Sequence, residues 1–230
     1  MQLGVVIPTL NEATRIGGRL LEASRVADGP VVVVDGGSSD GTVAIARSFP
    51  DVTVLTSPRG RATQMNAGAQ VLSNAGADLL LFLHADVSLP ADARAWIASV
   101  MADPAVVAGA FRTWTVADTE APWWSPLLHL ADLRSRYTTL PYGDQALFVR
   151  TSAFQAVGGF PEQPLMEDLE LARRLKRLGG IRTAPAFVRV SGRRFLARPI
   201  LFTLAVNVFP LLYRAGVSPS TLKALYADVR

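Results

Sequence analysis

Residues 83–86 read Leu-His-Ala-Asp and follow the apolar run 77–82, so a buried strand ends by setting an imidazole (His84) and a carboxylate (Asp86) two residues apart. Either a turn or a ligand site explains such a strand tip. Other strand ends carry similar equipment. Residues 8–12, PTLNE, stop one strand at Pro8 and present Thr9, Asn11 and Glu12 just before a helix. Asn11 is suited to cap that helix, and Glu12 to accept hydrogen bonds from a ribose or a base. Residues 34–42, VDGGSSDGT, place Asp35 ahead of Gly36, Gly37 and Ser38. Glycines allow close approach to a flat or anionic ligand, and Asp35 is an acceptor for the N–H of a pyrimidine; a plain Asp-Gly turn is the alternative. Neither a G-x-G-x-x-G fingerprint nor a lysine-ended phosphate loop is present.

Four further stretches carry polar groups with two readings each. In 57–70, SPRGRATQMNAGAQ, Arg59 and Arg61 stand at a helix start, with Gln64 and Asn66 behind them. Cations there oppose the helix dipole, which suits a diphosphate partner, although solvated surface arginines also fit. Residues 166–168, Met-Glu-Asp, open a helix that ends in Arg173, Arg174, Lys176 and Arg177, a charge order that complements the dipole without any chemistry. Asp144 and Gln145 in YGDQ sit at a strand end, suited to sugar hydroxyls or to a turn. Arg193 and Arg194 in SGRR either close over a diphosphate or are ordinary surface charge.

The elements that must position these groups follow from hydrophobic pattern. Runs at 3–9, 30–36, 51–57 and 77–86 are β-branched or leucine-rich throughout, which predicts strands buried on both faces. Segments 13–26, 39–48 (capped by Ser39 or Asp40) and 61–75 between them predict helices. This alternation predicts a doubly wound, mainly parallel α/β sheet with helices on both faces, whose ligands sit at the carboxyl ends of the strands. Beyond residue 90 the pattern predicts a helix at 91–102, a strand at 106–116, a Trp/Pro-rich stretch at 120–136 and a strand near 145–150. Helices at 151–157 and 166–178 and a short strand at 186–191 follow.

Composition removes several classes of function. The 230 residues are 50% hydrophobic and 18% charged, which excludes intrinsic disorder. With no cysteine and two histidines, disulfide frameworks, thiolate nucleophiles and histidine-rich metal cages are excluded. Charge is uneven: residues 182–230 hold eight Lys/Arg against one acid, and residues 1–181 hold fifteen against eighteen. The N-terminal MQLGVVIPTLNE has no basic leader region and only a short apolar run, so a cytoplasmic protein is expected. Residues 195–213 are the most apolar, but Arg198, Pro199, Asn207 and Pro210 interrupt them, and fewer than the roughly 20 residues of a spanning helix are uninterrupted. Packing on the domain, contact with an anionic membrane surface at its inner face, and oligomerisation are the readings open to this segment.

Taken in order, PTLNE, VDGGSSDGT, GRATQMNAG, FLHAD and GGFPEQPLMEDLELARRLKRLG resemble the family 2 glycosyltransferases of the GT-A fold over residues 3–190. FLHAD, YGDQALFV and MEDLELARRLKRLG look most like a small bacterial subgroup, the arsenosugar-associated glycosyltransferases. The resemblance implies that Asp35 holds the base of a nucleotide-sugar, usually uridine, in a pocket shaped by Pro8, Thr9, Asn11 and Glu12. It sets His84-Ala85-Asp86 where the family has Asp-x-Asp, so Asp86 would ligate Mg²⁺ or Mn²⁺ between the donor phosphates, with His84 in place of the usual first acid. Asp168 would be the catalytic base, Glu167 would orient it or hold the acceptor, and Arg61, Gln64, Asn66, Asp144, Gln145 and Arg194 would complete the donor site.

The expected protein is therefore a metal-dependent inverting glycosyltransferase with a nucleotide-diphosphate sugar and a hydroxyl acceptor as partners, and without nucleic acid. Residues 1–194 would form the GT-A domain, with 1–90 as its nucleotide-binding half and 91–194 as its acceptor half. Residues 195–230 would be a helical extension that packs on the domain or lies at an interface. A nucleotidyltransferase of the same fold and a non-catalytic nucleotide- or anion-binding module are the alternatives.

Overall fold

The computed structural model describes residues 1–117, 129, 132, 140–193, 196 and 199–229. Four strands, β1 (Leu3–Thr9), β2 (Val31–Asp35), β3 (Val52–Thr56) and β4 (Leu79–Phe82), alternate with the helices α1 (Ala13–Val26), α2 (Thr42–Arg47) and α3 (Arg61–Asn74). Then come β5 (Val87–Ser88), α4 (Ala93–Met101), β6 (Val106–Val116), a 3-10 turn (Gly143–Gln145), β7 (Phe148–Arg150), α5 (Thr151–Ala156), α6 (Glu167–Lys176) and β8 (Gly180–Ser191). Helices α7 (Pro199–Arg214) and α8 (Pro219–Val229) follow. One sheet joins the strands in the order β3-β2-β1-β4-β7-β6-β8-β5.

The continuous apolar runs are continuous because both faces of the sheet are covered. Val5, Ile7, Val31, Val33, Leu79 and Leu81 point to one face, where Ile16 and Leu20 of α1 and Ile97 of α4 meet them. Val6, Val32, Val34, Leu80 and Phe82 point to the other, against Met65 and Leu72 of α3, Phe154 of α5 and Leu171 of α6. Each such side chain contributes roughly 1.5–3 kcal/mol by leaving water. The doubly wound, two-faced α/β architecture expected from the pattern is thus present.

The pairing is parallel from β3 through β4 and between β6 and β8, while β7 runs antiparallel to both β4 and β6, and β5 antiparallel to β8. Several boundaries differ from the pattern-based reading, among them α2, expected over 39–48 with a Ser39 or Asp40 cap but running Thr42–Arg47 from Gly41, and β7, which begins only at Phe148. The strand expected over 77–86 ends at Phe82. The Leu83 N–H still donates to the Val6 carbonyl, but the Val87 N–H then donates to the His84 carbonyl, and this turn swings the chain out to β5. The strand expected at 186–191 extends back to Gly180, because its parallel pairing with β6 continues as far as Val106. Asp144 and Gln145 lie in the 3-10 turn and not on a strand end, since the Gln145 amide folds back to accept from the Tyr142 N–H (2.7 Å).

The Trp/Pro-rich stretch, apart from His129 and Asp132, lies outside the described residues, as do Arg194 and Arg198. Among the described residues, no helix is long and apolar enough to cross a membrane. The 16 residues of α7 span about 24 Å at ~1.5 Å per residue, short of a hydrocarbon core of roughly 30 Å. Phe209 and Leu222 of the last two helices pack instead on Leu165 in a small cluster of their own.

Candidate active site

The carboxyl ends of β1 and β4 open on a cavity of about 1000 Å³. The N-terminus of α3, the turn at 143, the loop 162–166, the start of α6 and one face of α7 complete its wall. A volume of this size suits a nucleotide-sized ligand together with a second substrate.

His84, Ala85 and Asp86 all reach this cavity, because the turn after β4 exposes them just where the strand stops. Opposite them stands α6. Asp168, its second residue, accepts the Gly143 N–H at 2.6 Å through one carboxylate oxygen and the Leu169 N–H at 2.7 Å through the other. Gly143 is the spacer between the two groups. A side-chain carbon at that position would stand 3.1 Å from His84 Nε2 and 3.2 Å from Asp168 Oδ2, so imidazole and carboxylate flank one backbone position.

Glu167 is 3% exposed although it carries a carboxyl group. Its Oε1 meets Arg61 Nε at 3.0 Å, and its Oε2 has no hydrogen-bond partner among the described residues. Burial, reinforced by the charge of Asp168, pushes the Glu167 carboxyl above the ordinary carboxylate range against the pull of Arg61. Arg61 reaches Glu167 because it is the first residue of α3, whose stripe Arg61, Gln64, Gly68 is spaced to lie along the sheet.

The other predicted residues divide into those that face the cavity and those that build its frame. Pro8, Thr9, Asn11, Glu12, Gln64 and Asp144 line it. Asp35, Gly36, Gly37, Ser38, Asn66 and Gln145 do not reach its wall. The Asp35 carboxylate turns into its own loop, accepting from the Gly37 and Ser38 N–H groups (2.9 and 2.8 Å), the Ser38 hydroxyl and the Thr9 hydroxyl (3.3 Å). The Asn66 amide clamps both the N–H and the carbonyl of Phe160 at 2.9 and 2.8 Å, which fixes the loop running on to Met166. Gln64 donates to the Thr9 and Val34 carbonyls at 2.9 and 2.8 Å, tying β1 to β2 beneath the cavity. Gln145 donates to the Phe111 carbonyl at 2.9 Å and so holds the turn that carries Gly143.

Asn11 does not cap α1. Its side chain accepts from the Ser39 N–H at 2.9 Å, and the backbone adopts a positive φ of 56°. The first N–H groups of that helix are met from across the loop instead: Ala13 donates to Asp40 at 3.1 Å and Glu12 to the Thr42 hydroxyl at 2.8 Å. Asp40 likewise receives the N–H and hydroxyl of Thr42, whose hydroxyl is the main cause of its lowered pKa. Glu12 forms an ion pair with Arg193 at 2.7 Å, and both line the cavity.

Pattern reading missed the apolar part of the wall. Phe202, Val206, Phe209 and Pro210 line the cavity at helical spacing, with Leu165, Met166 and Lys223 beside them. The spacing i, i+4, i+7, i+8 was visible in the sequence, but a helix face of that kind reads equally as core.

Among the described residues no three His, Asp or Glu side chains converge as a ready-made metal cage. Asp86 and His84 offer one hard oxygen and one imidazole to the cavity. That set fits a cation held by one or two protein groups and completed by substrate phosphates, and the imidazole favours Mn²⁺ over Mg²⁺.

Residues 4–158 match glycosyl transferase family 2. The chain belongs to that family. Succinoglycan biosynthesis protein ExoA of Rhizobium meliloti (strain 1021) is 32% identical over 198 residues, covering 76% of this chain and 58% of the relative. The chain thus spans less than two thirds of that relative's length. Among solved structures, mannosyltransferase PcManGT from Pyrobaculum calidifontis, in complex with GDP-Man and Mn²⁺, superposes with a TM-score of 0.65 at 22% identity, covering 99% of this chain and 69% of its own. TarS 1–349 of S. aureus with UDP-GlcNAc gives 0.62 at 18%, covering 100% and 71%. Glucosyl-3-phosphoglycerate synthase of Mycobacterium tuberculosis with Mn²⁺, UDP and glucosyl-3-phosphoglycerate gives 0.62 at 19%, covering 94% and 80%. The fold of this family 2 member is therefore the GT-A glycosyltransferase fold anticipated from its motifs.

Proposed function

We propose that this family 2 member transfers a sugar from a nucleoside-diphosphate donor, of the UDP class, to a hydroxyl acceptor by a single inverting displacement that depends on Mg²⁺ or Mn²⁺. The observation that carries the reading is the placement of Asp168 opposite His84 and Asp86 in one cavity, with Gly143 as the spacer. Similar folds solved with UDP-GlcNAc, or with UDP and Mn²⁺, support the donor class and the metal.

In this reading Asp168 is the general base. It removes the acceptor's hydroxyl proton as that oxygen bonds to the anomeric carbon and the bond from that carbon to the diphosphate oxygen breaks. The Gly143 and Leu169 N–H groups hold the carboxylate in one orientation at the cavity wall. Arg59 and Arg61 at the rim offset the charge of the departing nucleoside diphosphate. Asp86 and His84 would hold the divalent cation, which supplies Lewis-acid neutralisation of the diphosphate when bound.

Titration calorimetry with UDP, with and without Mn²⁺, tests the donor site. Binding is expected to tighten with Mn²⁺, and Asp86→Ala to remove that gain; no UDP binding in either condition refutes the reading. Asp168→Asn should leave UDP affinity intact and lower transfer by at least about 10²-fold. A parallel fall in UDP affinity would make Asp168 a donor ligand and not a base.

Residues 1–194 are proposed to carry this activity, with 195–230 as an extension that also meets a membrane surface at its cytoplasmic face. Leu211, 60% exposed, with Val208 and Leu225, supports that contact, and Arg214 suits anionic lipid.

A further inference from the structure

The cavity is lined by two chemically distinct sets of side chains. His84, Asp86, Asp144 and Asp168 are among its polar lining residues, and Leu165, Met166, Phe202, Val206, Phe209 and Pro210 are among its apolar ones, with Lys223 beside them. The four residues from α7 fall on one face of that helix, so the apolar wall is a continuous strip and not a scatter of side chains.

We infer that the acceptor is an alcohol carrying a hydrocarbon portion, and that this strip binds it. The inference rests on the proposed transfer reaction, because it takes Asp168 as the point where the acceptor hydroxyl must sit. Leu165 and Met166 precede that carboxylate by three and two residues. Met166 holds a left-handed backbone (φ 64°) that turns the chain into α6. Atoms attached to the reacting hydroxyl therefore leave Asp168 along Leu165, Met166 and the Phe209 face of α7. Phe202, Phe209, Pro210 and Leu165 are buried behind the strip, and Met166 and Val206 keep part of their surface open; a purely polar acceptor would leave that surface against water, whereas each methylene laid on it strengthens binding by about fourfold.

The test compares octyl and methyl β-D-glucopyranoside, below the micelle concentration, by calorimetry on the full chain with UDP and Mn²⁺ present. The octyl compound should bind at least about tenfold more tightly. Val206→Asp should erase that preference, as should the nearly isosteric Val206→Thr in part, with UDP affinity unchanged in both. Equal binding of the two glucosides, no octyl binding, or a preference that survives Val206→Asp overturns the inference. Loss of UDP binding by the wild type would strike the transfer reading itself, and is read in the same titration before either glucoside is added.

Discussion

At the scale of single residues, Glu167 is the most exposed to physical test. A buried carboxyl with one oxygen on Arg61 and the other without a hydrogen-bond partner among the described residues holds its proton more firmly in the folded chain than in the unfolded one. Stability from that extra proton affinity is full below the ordinary value of 4.5 and is lost as pH rises through the raised folded pKa. Glu167→Gln cannot ionise. Urea unfolding between pH 4.5 and 8 should show wild type losing stability relative to this variant as pH rises, and a pH-independent difference would contradict the assignment. Little of this was legible beforehand: the sequence places Glu167 beside Asp168, but its ion pair with Arg61 forms only because the fold brings the start of α3 to the start of α6. Residues whose roles depend on a strand tip, such as His84 and Asp86, were readable because a buried apolar run must end somewhere. Asp35 and Asn66 were readable only as polar groups in the right neighbourhood; their partners, a loop's own N–H groups and Phe160, are set by tertiary packing.

At the scale of elements, α3 decides how closely the cavity's two sides approach. Gly68 lets the helix lie on β1 and β2: a Cβ there would fall 2.5 Å from a methyl of Val6 and 3.1 Å from one of Val34. Gly68→Ala must lift the helix, and with it Gln64 from the Thr9 and Val34 carbonyls. Overpacking of this kind costs ~1–3 kcal/mol. Urea denaturation should register that loss, and weaker UDP binding should accompany it as Arg61 shifts; an unchanged midpoint would show that the helix has room to spare. Strands and helices of the first half were legible because each apolar run is covered on both faces. The short β5, the 3-10 turn and the full length of β8 were not, since they depend on side-chain turns and on a partner strand distant in sequence.

At the scale of the molecule, the last two helices give one face to the cavity and leave Val208, Leu211 and Leu225 outward. If that outer face meets lipid, the protein should float with vesicles containing phosphatidylglycerol and Leu211→Asp should remain at the bottom of the gradient with its UDP affinity intact; a wild type that does not float would assign the outer face to solvent. The extension was legible as apolar and too short to span, but not as a cavity wall. The ion pair between Glu12 and Arg193 joins two lining residues 181 positions apart. On a ribosome adding ~5–20 residues per second, Arg193 emerges roughly 10–35 s after Glu12. During that interval the nascent chain can form β1 to β4 with Glu12 still lacking Arg193, so the full cavity lining is among the last features the protein acquires during its own synthesis.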